Sequence, residues 1–487
     1  MSKLFDQNQA IINVGLASFA DAIVQGGGKA VQVDWTPPAA GDRAAGWSLA
    51  SLINHPAVES ANQTAYASYL SAQPMLVGVG VAREELPGMR ERLILHAGPP
   101  IAWQEMCGPM QGAVLGAVLL EGWAEDAHAA RRLVDEGAVA LEPAHHHAAV
   151  GPMAGIISPS MPVWVVENAA GSNRAYSNMN EGLGKALRFG ANSPEVIKRL
   201  RWMADVLAPA LKAALAKLGP LELKPLIAQA LQMGDEVHNR NAAASSLFLK
   251  KLVPSALRSG FDQDGMAESI TFIAGNDHFF LNLSMAACKS MLDAAHGVPN
   301  SSMVTAMSRN GVLFGIRLSG TGERWFEAQA PLVNGLYFPG YGPEHAAPDM
   351  GDSSITETAG LGGFAMATAP AIVQFVGGTP QDAVANTREM THITLGLNNA
   401  FTLPPMNFTG TPAGVDARRV LDTNITPIIN TGIAHREPGV GQIGAGITRA
   451  PLGCFTQAIV ALAGTVGASS FPSVRAGEGG GGGKESA

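Results

Sequence analysis

Apolar and polar positions change period several times along the chain, and each change predicts an element. AIINVG at 10–15 reads as a strand, 18–25 as a helix, and KAVQVDW, after the turn Gly26-Gly27-Gly28, as a second strand. Together they form a βαβ unit. Ser18 is placed to cap that helix, and Pro37-Pro38 stops the second strand. MLVGVGVA and ERLILHAG follow as strand candidates, 106–121 as an apolar, glycine-rich helix, and 131–136 as a surface helix leading to a strand before residue 145. From Ser193 the period turns helical, with Pro194 at the first helical position. Gly219-Pro220 breaks this helix and a second is expected over 224–252, giving a helical subdomain near 194–257. A further helix is expected over 276–296, ended by Gly297. Strands at 301–309 and 312–320 are joined by Asn310-Gly311, a strong hairpin signal.

The expected fold class is therefore mixed α/β with several domains. An N-terminal α/β domain spans 1–140, and a main α/β domain with the helical subdomain spans 141–465. The Gly-rich tail, 466–487, cannot bury a core and is expected to be disordered.

Composition narrows the function. Apolar residues make up 47% of the 487 and charged residues 15%, against about 25% charged in ordinary soluble domains. Much of the chain must be shielded from water, which favours a homo-oligomer, most simply a dimer. The net charge of -8 carries no Lys/Arg block, so nucleic acid is an unfavourable partner. Cys107, Cys288 and Cys454 are far apart and form no CxxC pair, which fits a reducing cytoplasm. The N-terminus has no secretory pattern. The uncharged run at 357–382 has the length of a membrane span, but glycines and prolines interrupt it, so a buried core segment is expected.

The candidate chemistry begins with AHHHAAVGPMAGIISPSMPVWVVEN. In extended backbone His145 and His147 would share one face and His146 take the other. Three readings fit: imidazoles bonded to carbonyls at a seam, a subsite for an anionic or carbonyl substrate, or two metal ligands completed by His238, His278, His435, Asp235 or Asp277. On the 276–296 helix, His278, Asn282, Met285, Lys289 and His296 share a stripe, so the choice is a solvated face or a polar face aimed into a cleft. In QALQMGDEVHNRN, Gln229, Gln232, Glu236, Asn239 and Arg240 would share a helical face beside Asp235 and His238. That set suits a planar, carboxamide-like ligand, or leaves Glu236 and Arg240 as a surface ion pair. Lys185 and Arg188 follow the Gly182/Gly184 loop, where two cations beside free amides would suit phosphate or carboxylate. GVGQIGAGI matches GxGxxG formally, without a convincing strand before it, and reads as a turn-rich loop near His435. GxSxG, HExxH, Walker A and CxxC motifs are missing, so hydrolase, zinc-protease and nucleotidase logic has no support.

AVGPMAGIISPSMPVWVVEN, NEGLGKALRFGANSPEVIKRLRWM, PLIAQALQMGDEVHNRN, NDHFFLNLSMAACKSMLDAAHG, GLYFPGY, DSSITETAGLGGFAMATAPAIVQFVGG and NTGIAH with GQIGAGI together resemble the YlbE/AllG family of allantoin-using bacteria. The likeness runs over roughly residues 8–463. It implies a subunit of oxamate carbamoyltransferase, which converts oxalurate and phosphate to oxamate and carbamoyl phosphate. It also implies partners: an FdrA-like subunit, itself similar to the succinyl-CoA synthetase α chain, and a third subunit. The alternatives are a non-catalytic scaffold for the FdrA-like partner, or a subunit of an acyl-CoA or acyl-phosphate ligase. The resemblance brings no residue assignments, so the candidate site comes from the residues alone: His145, His146, His147, His278, Asp235 and His238 for catalysis, and Lys185, Arg188, Arg240, Asn282, Asn239 and His435 for substrate, lining one cleft. Carbamoyl transfer needs no redox cofactor; a metal is conceivable only at His145/His147.

Overall fold

The computed structural model describes residues 10–33 and 35–467. The expected disordered tail lies almost wholly outside this range. The opening βαβ unit is present: Ala10–Val14 and Lys29–Val33 pair in parallel around the helix Ala17–Gln25. Much of its apolar surface is open, with Ile12, Leu16, Phe19 and Trp35 all exposed.

A five-stranded sheet carries the site. Its order is Ala149–Val150, Arg174–Asn178, Pro162–Asn168, Pro74–Val81 and Leu221–Glu222. Pro74–Val81 runs antiparallel to Pro162–Asn168. Strands from both sides of the division expected near residue 140 thus share one sheet. The helix Leu281–Asp293 packs across it. Alanine, serine, methionine and cysteine dominate this helix, and small or flexible side chains let sheet and helix approach closely. Asn282 and Lys289 are buried along with every other residue from Leu281 to Leu292. The helix begins at Leu281, not at 276, and its polar stripe is internal. The solvated-face reading fails there.

Beyond it, the Val304–Asn310 and Leu313–Leu318 hairpin turns at Gly311 as expected and lies in a four-stranded sheet. Asn334–Tyr337, Gln442–Arg449 and Ile428–Ala434 form a three-stranded sheet. GQIGAGI is therefore mostly strand rather than loop. Its glycines let Gly444 and Gly446 lie directly against the backbone of Leu336 and Asn334.

The helical subdomain is present as Pro194–Trp202, a π-helical turn Met203–Leu207, Ala208–Leu218, Leu223–Gln232 and Ala242–Ala256. The single helix expected over 224–252 is broken into two. Gly234 at φ 95° and Val237 at φ 67° take left-handed conformations that end a right-handed helix. The 357–382 run folds into short helical turns, buried through Thr368. Among the described residues, no helix is long and apolar enough to cross a membrane.

Candidate active site: a histidine-carboxylate dyad beside an arginine-bearing cleft

The break between the two helices is what presents the chemistry. A β-branched residue rarely adopts positive φ, so Val237 marks a conformation that its surroundings enforce. Its N–H donates to the Arg240 carbonyl at 3.1 Å and its carbonyl accepts from Ser284 Oγ at 3.0 Å. Glu236 turns inward and accepts from the backbone N–H groups of His238, at 2.6 Å, and Arg240, at 2.7 Å. Burial pushes its carboxyl up to about 7, against the lowering effect of His238. The expected surface ion pair of Glu236 with Arg240 is not formed, because the turn points the carboxylate at the backbone. Arg240 instead faces Asp235, with Nε 3.4 Å from Oδ1. Asp235 Oδ2 accepts from Ala244 N at 2.8 Å and anchors the start of the second helix.

This turn aims His238 at Glu357. The imidazole Nδ1 lies 2.8 Å from Oε1 and 3.0 Å from Oε2 of a fully buried carboxylate. Glu357 also accepts from Gly363 N at 2.9 Å, Thr356 Oγ1 at 3.0 Å and Asn430 N at 3.3 Å. Both carboxylate oxygens act as acceptors here, so Nδ1 of His238 carries the proton and donates it. Nε2 is left as the basic nitrogen. Gly362 makes the arrangement possible. Its φ is +54°, and a Cβ there would overlap Glu357 Oε1 and lie 3.1 Å from His238 Cβ.

The residues after His238 line a cleft of about 330 Å³, with Asn239, Arg240, Asn241, His278, Phe338 and Gln442 in its wall. Burial, then the positive charge of Arg188 and His238, pushes His278 down to about 4, so it stands as a neutral imidazole. Arg188 is buried, its guanidinium 4.9 Å from the Phe189 ring, with one amino group donating to Gly182 O at 2.8 Å. Nε of Arg188 and Nδ2 of Asn239 are buried donors without hydrogen-bond partners among the described residues, and Nε of Arg240 has only its long 3.4 Å approach to Asp235 Oδ1. Leaving such groups unpaired costs about 1–3 kcal/mol each. Asn239 and Arg240 stand in the cleft wall, where such donors suit a ligand rich in acceptors; Arg188 is not part of that wall.

Other candidates fall outside this group. Of the amides in and after the glycine loop, Gly182 N donates to Asn180 Oδ1 at 3.0 Å, and Glu181 accepts from Leu187 N at 2.7 Å and Arg188 N at 3.1 Å. Lys185 is exposed on that loop, next to Gly184 in the cleft wall. Asn282 supports the loop from beneath, donating to Asn178 O at 2.7 Å and accepting from Asn180 Nδ2 at 2.9 Å. His435 is buried, accepts from Glu437 N at 3.0 Å and stacks on His345 at 5.7 Å.

The triple histidine sits elsewhere. Ala144–His147 is one 3-10 turn closed by Ala148 at φ 54°, not extended backbone, and about three residues per turn sends the rings in three directions. His147 bridges Pro87 O at 2.6 Å and Glu142 at 2.8 Å. His146 accepts from Trp325 Nε1 at 2.9 Å. His145 is buried, with Nε2 3.6 Å from Asp352 Oδ1. His145 and His147 therefore face different partners, and among the described residues no three His, Cys, Asp or Glu side chains are grouped to hold a metal. His145 feels the charges of Lys289 and His296, at the far end of the helix Leu281–Asp293, whereas His278 precedes that helix. From Leu281 to Lys289 the rise is about 12 Å. One shared cleft does not form.

Glu357 and Phe338 were missed by sequence reasoning, and Gln442 was noted only as part of the glycine-rich region near His435. Glu357 did leave a signal: a lone carboxylate at the border of an uncharged run is rarely buried unless it is paired.

Fold and site together define a mixed α/β protein with a carboxylate-oriented histidine just before the residues that line an arginine-bearing cleft. The chain matches the family model described as oxamate carbamoyltransferase subunit AllG over residues 139–353. It is 49% identical over 413 residues to the oxamate carbamoyltransferase subunit AllG of Escherichia coli, covering 84% of this chain and 99% of that one. It is 45% identical over 460 residues to the uncharacterized protein YahG of the same organism, covering 94% and 98%. A crystal structure of a conserved protein of unknown function from Enterococcus faecalis superposes with a TM-score of 0.83 at 47% identity, over 84% of this chain and 98% of that one. The chain belongs to the AllG family of oxamate carbamoyltransferase subunits.

Proposed function

We propose that the chain is the carbamoyl-handling subunit of an oxamate carbamoyltransferase complex in anaerobic allantoin use, with the cleft beside His238 as its reaction site. The observation that carries this is the Glu357–His238 dyad, followed directly in the chain by Asn239 and Arg240 in the wall of a cleft that also holds His278 and Gln442. Oxalurate and phosphate are planar or anionic and rich in acceptors. Arg188 and Arg240 supply positive charge for the carboxylate and the phosphate. Asn239 and Gln442 orient the planar ureido group. His278, neutral, donates to the carbamoyl oxygen as it gains negative charge.

In the cleavage direction a phosphate oxygen attacks the carbamoyl carbon of oxalurate. The O–C bond forms, the C–N bond breaks, and the electron pair leaves with nitrogen. Protonated His238 gives its Nε2 proton to that nitrogen, releasing oxamate and carbamoyl phosphate. In reverse, neutral His238 takes the proton from the attacking amide, while Glu357 holds the tautomer and stabilises the imidazolium. Every step uses the chain's own side chains.

An FdrA-like subunit and a third subunit complete the complex in this reading, with the present chain as a homodimer in the cytoplasm. The test is co-expression with both subunits and measurement of phosphate-dependent oxalurate cleavage. His238→Gln and Glu357→Gln should lose turnover in complexes that still assemble. Full activity in both would overturn the reading.

One observation favours a second reading, a purely assembling subunit. Phe19, Trp35 and Trp47 are 57–62% exposed near the opening βαβ unit, and a parallel pair ordinarily needs both faces covered. Chemistry unaffected by the dyad variants, together with loss of assembly on Phe19→Ser, would put this reading ahead.

A further inference from the structure

A second cavity, of about 300 Å³, is lined by other residues of the 178–188 segment than the cleft and shares no lining residue with it. Met161, Met179 and Met203 line its interior with Leu187 and Leu200, and Arg83 and Arg201 stand in its wall. Both arginines are exposed, and neither guanidinium is within 4.0 Å of a carboxylate among the described residues. Asp205 also contributes to the lining, so the fixed charges of the exposed rim are two positive against one negative. The buried carboxylate in the wall, Glu181, is already engaged by the backbone N–H groups of Leu187 and Arg188.

The shape has a structural cause. The wall that carries Met203 is the π-helical turn Met203–Leu207, between Pro194–Trp202 and Ala208–Leu218. A π turn widens the helix by one residue, and such turns concentrate at functional sites. The cavity volume falls at the lower end of small-molecule sites, about 300–1,000 Å³. Methionines adapt their shape to a flexible apolar guest. Free guanidiniums select an anionic head.

We propose that this cavity binds a small amphipathic anion, with a carboxylate or phosphate head at Arg83 and Arg201 and a short alkyl chain among the methionines. It is a site separate from the carbamoyl-transfer cleft and does not depend on the reading of that cleft.

The test is calorimetric titration of the purified full chain with hexanoate and hexyl phosphate in parallel, and with 1-hexanol as the neutral control. Hexanoate or hexyl phosphate should bind saturably, with a dissociation constant of about 1 mM or below for a ligand of this size. Whichever of the two binds more tightly identifies the head group. Arg83→Gln combined with Arg201→Gln should weaken binding by at least about tenfold, the least expected from losing a charge-assisted hydrogen bond. Met179→Trp should block binding by filling the cavity; if that variant fails to fold, the surface arginine pair decides alone. No saturable binding of either anion at about ten times that concentration, unchanged binding in the double arginine variant, or equal binding of 1-hexanol would each overturn the proposal.

Discussion

Glu357 grips Nδ1 of His238 with both carboxylate oxygens, at 2.8 and 3.0 Å, across 119 residues of chain. Glu357→Gln keeps an acceptor oxygen but loses the negative charge that favours an imidazolium. Turnover of the assembled complex should fall by about 10²–10⁴, the usual contribution of an oriented acid–base group. The KM for oxalurate should change less than kcat, because the dyad acts on the moving proton. Steady-state kinetics checks both values.

Gly362→Ala should be as damaging as loss of the dyad, although residue 362 touches no substrate in the proposed mechanism. Its Cβ would occupy the place of Glu357 Oε1, so the carboxylate must swing away from His238. The expected outcome is a loss of turnover of at least about a hundredfold, with a melting temperature lowered by strain at a positive-φ site. Near-normal activity would show that Glu357 has another route to His238.

The two histidine groups should separate cleanly on mutation. His278→Asn is expected to lower oxalurate cleavage by about 10²–10³, as for loss of one donor to a developing oxyanion. His146→Asn, outside the cleft wall and engaged by Trp325, should leave kcat within about a factor of two, the size of an ordinary surface substitution. Equal losses at both positions would contradict the separation seen in the fold.

Acid should unfold the chain partly through its buried histidines. His96 and His278 are each pushed down to about 4 by burial, while in the unfolded chain histidine titrates near 6.5. Between these values the unfolded state binds more protons, so their contribution to stability is complete above about 6.5 and is lost as the pH falls toward 4. Glu236 and Asp352 act oppositely. Held up to about 7 and about 6 by burial, they keep protons that the unfolded chain releases, and they cost stability as the pH rises through that range. His278→Asn should therefore show a smaller drop in melting temperature between pH 7 and pH 5 than the unaltered chain, measured by scanning calorimetry across those values.

Charge at the cleft wall should govern affinity. Arg240→Gln removes the cation but keeps a planar donor, and the KM for oxalurate or phosphate should rise about tenfold or more. Lysine at the same position should restore only part of the loss, because a point charge cannot reproduce the guanidinium fork. Initial rates across both substrates check this.

Elements governed by local periodicity were legible before folding. The βαβ opening, the Asn310-Gly311 hairpin, the change to helix after Ser193 and the interrupted run at 357–382 all follow from patterns within about twenty residues. The chemistry-bearing turn 233–241 was less legible. Its residues were recognised as a set, but helical spacing was assigned to a stretch in which Gly234 and Val237 reverse the backbone. The same local bias made an extended pair of His145 and His147 and a loop of GQIGAGI.

Residue identity alone settled the family, the mixed α/β class and the presence of His238, Arg240, Asn239, Arg188 and His278 among the groups able to handle a planar anion. Tertiary packing settled which of them act together. Glu357 reaches His238 because Gly362 leaves room and packing brings segments 119 residues apart into one buried environment. The same packing carries the triple histidine to the far end of a buried helix. Local periodicity reports the conformation of neighbours in sequence. It holds no information on contacts across a hundred residues, which depend on how complete elements fill one core.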